Sequence, residues 1–574
     1  KEKYRSQCQS DYERYYPVST FRRLGFSRSQ CPCCKKFYWS RTARSNCGDS
    51  SCTGGYSFIG AGLRGSRSWD LASVYRSFER SFTCSRIPST PIRRYPVVAR
   101  WRSDVDFVAA GIFCFQPHCV TGAAEPPANP LICPQFCVRF NDLDNIGWTG
   151  MHFSGFIMLG IQVFNYPGKY KFFKEECVEF NYDWLTRELG IPPEEITFIE
   201  DLWAGGGNLG PSVEYFVRGL ELGNMVFMQF QTYPDGRLEE LQTQVVDTGI
   251  GLERVLWALD GQTTSYVPVF GSALKFLVEK LGIEIDSEEW RGFAPFAALL
   301  DADDASADCS GGVWEKAAAA MNSKVSANGP QKTISPSSLR AALSPLRDAF
   351  VILDHTRTLL FLFRDGALPA GSGGGANLRQ LLRRVFALLE GRGWWPRLGE
   401  EGLLRLFELH AADLGEIYSE SDLPPSLAEI LRLEVQRWRA SEESQKARLA
   451  KLAARGRPAS LEEWAVAVGS WGLPGETVAR ALNQSPPERL FSHLAESRER
   501  KVEATPPPPS ALASVPETRM LYLEATPAES FTRFEGRVLA QLPQGKEGSI
   551  GLVLDQTGFY PTSGGQLHDI GEME

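Results

Sequence analysis

The chain has 574 residues, 43% of them hydrophobic and 23% charged, with a formal net charge of −8 and a sequence pI of about 5.6. A single core stops growing at roughly 250–300 residues, so several domains are expected. No apolar run reaches the roughly 18 residues of a membrane helix, and the acidic balance excludes a globally basic nucleic-acid binder, so any RNA contact must come from local patches.

Residues 1–60 hold the clustered part of 13 scattered cysteines, a usage unlike a secreted disulfide scaffold. "CPCCKKFYW" supplies Cys31 and Cys34, and "CGDSSC" supplies Cys47 and Cys52. Two thiolate pairs suit a tetrahedral, closed, structural zinc; four free thiols are the plainer alternative, and Cys33 is surplus. The first residue is Lys1, and the Arg- and Ser-rich opening is interrupted by Glu2, Asp11 and Glu13, which weakens a transit-peptide pattern. A cytoplasmic and a mitochondrial matrix address both stay open.

Residues 61–300 mix β-branched and aromatic runs with Gly and Pro turns, as in "NMVFMQFQTY" followed by "PDG". Within them, "QVVDTGIGLERVLWAL" runs from a strand through Asp247, Gly249 and Gly251 into a helix with apolar Leu252, Val255, Leu256 and Leu259. Asp247 at the strand end is well placed to pair with a small cation. Gly249 lets a ligand approach the backbone, and Arg254 offers a guanidinium fork to phosphate. An ordinary strand–turn–helix with a surface ion pair is the bland alternative. Residues 301–340, rich in Ala, Ser, Asp and Gly, read as a flexible insertion. Residues 341–504 are Leu-, Ala-, Arg- and Glu-rich with helical periodicity, including a long amphipathic helix ending near Gly456. Residues 505–518 form a stiff Pro-rich linker. Residues 519–574 begin a β-rich module that is expected to be incomplete, since it stops before it could close a core.

Several separated stretches together resemble alanyl-tRNA synthetase of the archaeal type. They are the cysteine-rich opening with "YSFIG", "AEPPANPLICPQFCVRFNDLDNIGWTGMHF", "EDLWAGGGNLGPSVE", "DHTRTLLFLFRDGALP" and "LDQTGFYPTSGGQ". The resemblance implies an α+β chain built on a class II synthetase antiparallel sheet flanked by helices, with an N-terminal zinc-binding module. A helical tRNA-recognition domain and the start of an editing domain follow. It implies activation of alanine with ATP and Mg²⁺, then transfer to the acceptor end of tRNA. By position, Asp247 would hold the alanine ammonium, with Trp203, Asn224, Val226 and Gly249 around it. Arg139, His152 and Arg254 would meet ATP, with Arg139 and Arg254 stabilising charge on its phosphates. Arg379, Arg383 and Arg384 in "NLRQLLRRV" would meet tRNA phosphates. Plainer readings are a core aromatic for Trp203, a surface salt bridge for Arg139 and a solvated helix face for the three arginines.

The chain also departs from the family pattern. Met151 stands where an arginine is expected and Ile157 where an ATP-contacting glutamate is expected, a loss of roughly 2–5 kcal/mol if both face the nucleotide. Gly371 and Gly469 replace an Asn and an Asp that read the acceptor stem, and neither has a side chain to reach a base edge. His568 alone makes no metal site, so no editing activity is expected of these residues. Two readings follow: an alanine–tRNA ligase, or a synthetase-derived scaffold in an RNA–protein assembly such as a mitochondrial ribosome, in contact with ribosomal RNA.

Overall fold

The computed structural model describes residues 2–300, 312–325 and 333–494, apart from 64–66, 103, 142, 234–236, 456, 471–472, 474, 485–486, 488–489 and 491–492; beyond 494 it describes 515–516, 518–521, 533–543, 550–559, 569 and 571–572. The turn signal at 234–236, most of the Pro-rich linker and His568 lie outside the described residues. No helix among the described residues is long and apolar enough to cross a membrane.

A nine-stranded sheet dominates the described residues. Its strands are β1 (Ser27–Gln30), β2 (Phe37–Ser40), β3 (Thr90–Pro91), β4 (Leu131–Val138), β5 (Gly155–Asn165), β6 (Ile196–Gly205), β7 (Asn208–Val217), β8 (Leu220–Thr232) and β9 (Leu238–Gly251), in the order β1-β2-β6-β7-β8-β9-β5-β4-β3. Pairing is antiparallel except where β3 meets β4. β6 to β9 form a meander, as expected for long β-branched and aromatic runs separated by tight turns. β9 then pairs with β5, which joins the meander to strands that come much earlier in the chain.

Helices cover the sheet. Leu252–Asp260 follows β9 directly and buries Leu252, Val255, Leu256 and Leu259, the residues whose 3.6-residue spacing marks them in the sequence. It stops at Gly261, whose φ of 76° is the left-handed conformation that ends helices. The helix Pro336–Arg364 packs against β4 and β5, with Phe361 stacked on Phe136 at 3.7 Å between ring centroids. Further helices at Gly373–Gly391, Trp395–Tyr418 and Leu427–Ala453 continue the helical region.

Part of the segment expected to be a flexible insertion is helical: Val313–Val325 forms one helix and Pro336 opens another. Ala is the strongest helix former, and Trp314 packs at 5.2 Å from Trp148, so tertiary contact holds what the composition made look loose. Residues 301–311 and 326–332 lie outside the described residues.

Candidate active site

The four cysteines of the N-terminal module converge. The Sγ atoms of Cys31, Cys34, Cys47 and Cys52 all lie within 4.8 Å of one another, with Cys31–Cys52 at 3.8 Å and Cys34–Cys47 at 3.7 Å. A tetrahedron with metal–sulfur bonds of about 2.3 Å has edges of about 3.8 Å, so the donor set fits zinc. The first pair sits on a tight turn closed by Lys35 N–H to Cys31 O, with Lys35 at a φ of 62°. Cys33 is exposed and outside the cluster. Four such donors leave no open position, so the cluster could form a structural zinc site rather than a catalytic one.

A second site lies on one face of the sheet centre. Strand alternation brings Asp247 and Gly249 of β9, Asn224 of β8, Trp203 of β6 and Met158 of β5 to one cavity of about 120 Å³. Arg139, Met151, His152, Glu221, Glu253 and Arg254 complete its wall. The register explains the floor: Asn224 pairs with Gly249, and Met158 with Gly251, so β9 adds no side chain to either pair. A Cβ on Gly249 would lie 3.2 Å from both Asn224 Oδ1 and Met158 Sδ, inside the space a ligand would use. Trp203 lies across Gly205, whose added Cβ would fall 2.7 Å from the indole.

Asp247 is buried and accepts a 2.8 Å hydrogen bond from Gln162 Nε2. Burial pushes its carboxyl up to about 7, and the Gln162 bond pulls the other way. Asp247 is not at the strand end, as the sequence reading has it: β9 continues through Gly249 and Gly251, with β5 and β8 bonded on its two sides. Val226, directly opposite Asp247 on β8, is buried and is not part of the cavity wall.

The cationic side is supplied by two arginines. Arg139, just past β4, donates through Nε to Ala109 O at 3.2 Å, and its guanidinium stands 5.0 Å from the Phe156 ring. Arg254, in the first turn after β9, pairs with Glu221 Oε2 at 2.8 Å and reaches Met151 O at 3.4 Å. A cation therefore stands beside Met151, where the family pattern expects one more. His152 shares a 2.8 Å hydrogen bond between Nδ1 and Thr149 Oγ1.

Ile157 is placed differently from expectation. It is fully buried in the large core, while Phe156 and Met158 on either side of it line the cavity. Alternation puts its side chain on the far face, so the residue there is no gap in the cavity wall. Its backbone N–H donates to Glu253, which is buried and also takes Arg357 Nη2 at 2.5 Å. Gln162, Glu221, Glu253 and Arg357 had no role in the sequence reading. The available signal was polarity in apolar surroundings, such as the lone amide of "LGIQVF".

The three helical-domain arginines do not share one environment. Arg384 is buried and donates to Leu143 O at 2.9 Å, which removes it from the expected phosphate contacts. Arg379 pairs with both oxygens of Glu434 at 3.0 Å, and Arg383 is half-buried. Gly371 and Gly469 are both exposed.

Residues 88–219 and 331–574 match the family model of tRNA synthetases class II (A). The chain is 37% identical over 566 residues to an alanine–tRNA ligase of Methanocella arvoryzae, covering 98% of this chain and 61% of that protein. It is 39% identical over 570 residues to one of Cenarchaeum symbiosum, covering 98% and 59%, and 36% identical over 574 residues to one of Nitrosopumilus maritimus, covering 98% and 60%. The chain thus spans about three fifths of the length of these curated relatives. Neither the fold nor the relatives support the scaffold reading, an assembly or ribosomal RNA partner, or a mitochondrial address. The fold and the family match agree with the resemblance read from the motifs: the chain belongs to the class II (A) tRNA synthetases.

Proposed function

We propose that this chain is the aminoacylating part of an alanine–tRNA ligase. An oxygen of the alanine carboxylate attacks the α-phosphorus of ATP, pyrophosphate leaves, and the alanyl group passes from the adenylate to the 3′ end of tRNA(Ala). The observation that carries this reading is the buried Asp247 carboxyl at a glycine-floored cavity walled by Trp203 and Asn224. A carboxylate there pairs with an α-ammonium, and the restricted floor favours a small side chain. Arg139 and Arg254 hold charge developing on the phosphates, with no protein nucleophile required. The partly exposed Glu221 offers hard oxygen donors that fit Mg²⁺, which would come with ATP and neutralise phosphate charge.

We assign residues 1–60 to a zinc module, 61–300 to aminoacylation, and 341–504 to tRNA recognition through the acceptor stem, with Arg379 and Arg383 as the remaining phosphate contacts. Alanine-dependent ATP–pyrophosphate exchange tests the central claim. Exchange that Asp247→Ala abolishes supports it, and folded chain without exchange would sink it.

Two further outcomes follow. Metal analysis of the purified chain is expected to find one zinc, lost in Cys47→Ser together with part of the thermal stability, because a structural zinc contributes folding free energy directly. Full zinc content in that variant contradicts the assignment. Met151→Arg is expected to lower the KM for ATP by about tenfold, the worth of one charged hydrogen bond of about 1.5 kcal/mol. An unchanged KM would mean that Arg254 already serves that position.

A further inference from the structure

Gln162 stands apart among the buried polar groups around the cavity. It lies on β5 directly opposite Asp247, so the two side chains share a face of the sheet. Its Nε2 donates to Asp247 Oδ1 at 2.8 Å, while its Oε1 is buried without a hydrogen-bond partner. The amide is therefore committed to Asp247 and ties no other element together. Two glycines make its berth. A Cβ on Gly160 would lie 2.5 Å from Nε2, and a Cβ on Gly111 would lie 3.2 Å from the same atom. A buried amide with half of its hydrogen-bonding capacity unused is costly, and stability alone does not account for it.

We propose that Gln162 is a positioning residue of the amino-acid site, spending its amide on one Asp247 oxygen so that the other is presented to an incoming ammonium. This rests on the alanine-activation reading. The electrostatic setting agrees with the geometry. Three thiols feel the Asp247 charge, Cys114 beside β5, Cys137 on β4 and Cys177 on the helix Lys174–Asp183, and each is raised by burial and hence neutral. Arg139, His152, Glu221, Glu253 and Arg254 stand around the same cavity. Against the burial that disfavours ionisation of Asp247, the Gln162 hydrogen bond is the interaction that favours it. Removing that donor moves the acidic limb of alanine use to higher pH.

The test compares wild type with Gln162→Met, and with Gly160→Ala, whose methyl must push the amide off Asp247. Alanine-dependent exchange is followed from pH 6 to 9. Both variants are expected to raise the KM for alanine at pH 7 by about tenfold, with the KM for ATP within about twofold, and the defect should shrink as pH rises. An unchanged alanine KM and pH profile in Gln162→Met overturns the inference. A second readout separates it from the activity itself. The Asp247 carboxyl, ¹³C-labelled and assigned by Asp247→Asn, is titrated by NMR in the absence of substrate. A midpoint higher in Gln162→Met than in wild type supports the positioning role even if the wild type fails to exchange, an outcome that would refute only alanine activation. A midpoint that does not move overturns the role whatever the exchange assay shows.

Discussion

Asp247→Asn is expected to raise the alanine KM in pyrophosphate exchange by roughly thirty- to several-thousand-fold, while making the ligand-free chain more stable above pH 7. The first effect follows from removing one member of a buried charge pair, worth about 2–5 kcal/mol. The second follows from burial. The Asp247 carboxyl stands at about 7 in the folded chain against an ordinary 3.8, raised by desolvation. Between those values the unfolded chain is ionised and the folded chain protonated, so folding takes up a proton. The stability tied to Asp247 is thus fully present below pH 4, declines as pH rises toward 7 and is gone above it. The rise from 3.8 to about 7 corresponds to about 4 kcal/mol. Asn is never charged and escapes that cost. If Asp247 holds the alanine ammonium as proposed, binding requires the ionised carboxyl, so affinity is expected to rise with pH through 7 and Asp247→Asn to flatten that rise. Melting curves at pH 5 and pH 8 with isothermal titration of alanine would check both halves. A variant less stable than wild type at pH 8, or one that keeps wild-type alanine affinity, counts against the assignment.

Arg357→Met is expected to destabilise the chain by about 3–5 kcal/mol, the usual cost of leaving a buried charge without its partner. Arg357 and Glu253 are each 1% exposed and meet at 2.5 Å across 104 residues of sequence. Arg357 Nη2 also donates to Gly155 O at 2.8 Å, fastening the long helix to the start of β5. Its guanidinium lies 5.3 Å from the Phe153 ring and 5.4 Å from that of Phe270. The rings stabilise the charge where two of its nitrogens find no acceptor. At about 2–4 °C per kcal/mol for a large domain, the melting temperature should fall by roughly 10 °C. Exchange should weaken as well, because Glu253 is part of the cavity wall next to Arg254. The double variant Arg357→Met, Glu253→Gln should recover part of the stability, since it removes the orphaned charge. A double variant no more stable than the single one would show that Arg357 contributes by packing alone.

Much of the site was readable from local pattern. The helix after "DTGIG" followed from apolar spacing, and the cysteine cluster followed from two short spacings that local turns can close. The motif resemblance implied functions for Trp203, Asn224, Gly249, Arg139, His152 and Arg254, and the fold gathers all six around one cavity. Three inferences failed where a partner distant in sequence decided the outcome. Asp247 looked like the end of its strand, yet the strand continues through the two glycines after it, because β5 and β8 supply hydrogen bonds on both sides of β9. Ile157 looked like a lost nucleotide contact, yet the alternation of β5 turns it into the core. Arg384 looked available on a basic helix, yet docking of that helix buries it against Leu143 O.

The sequence by itself therefore determined the zinc-type donor set, through spacing and residue chemistry that a chain carries locally, while the class of fold and most of the residues that gather at the cavity were legible only through the resemblance of its motifs to a known family. Only the tertiary structure decided which of them face a ligand and which support those that do. Gln162 and Asp247 are 85 residues apart and meet solely through strand register. Register is set by the packing of whole sheet faces and not by any local preference, so the orientation of the key carboxylate and the anchor at Arg357 had no signature in the linear chain.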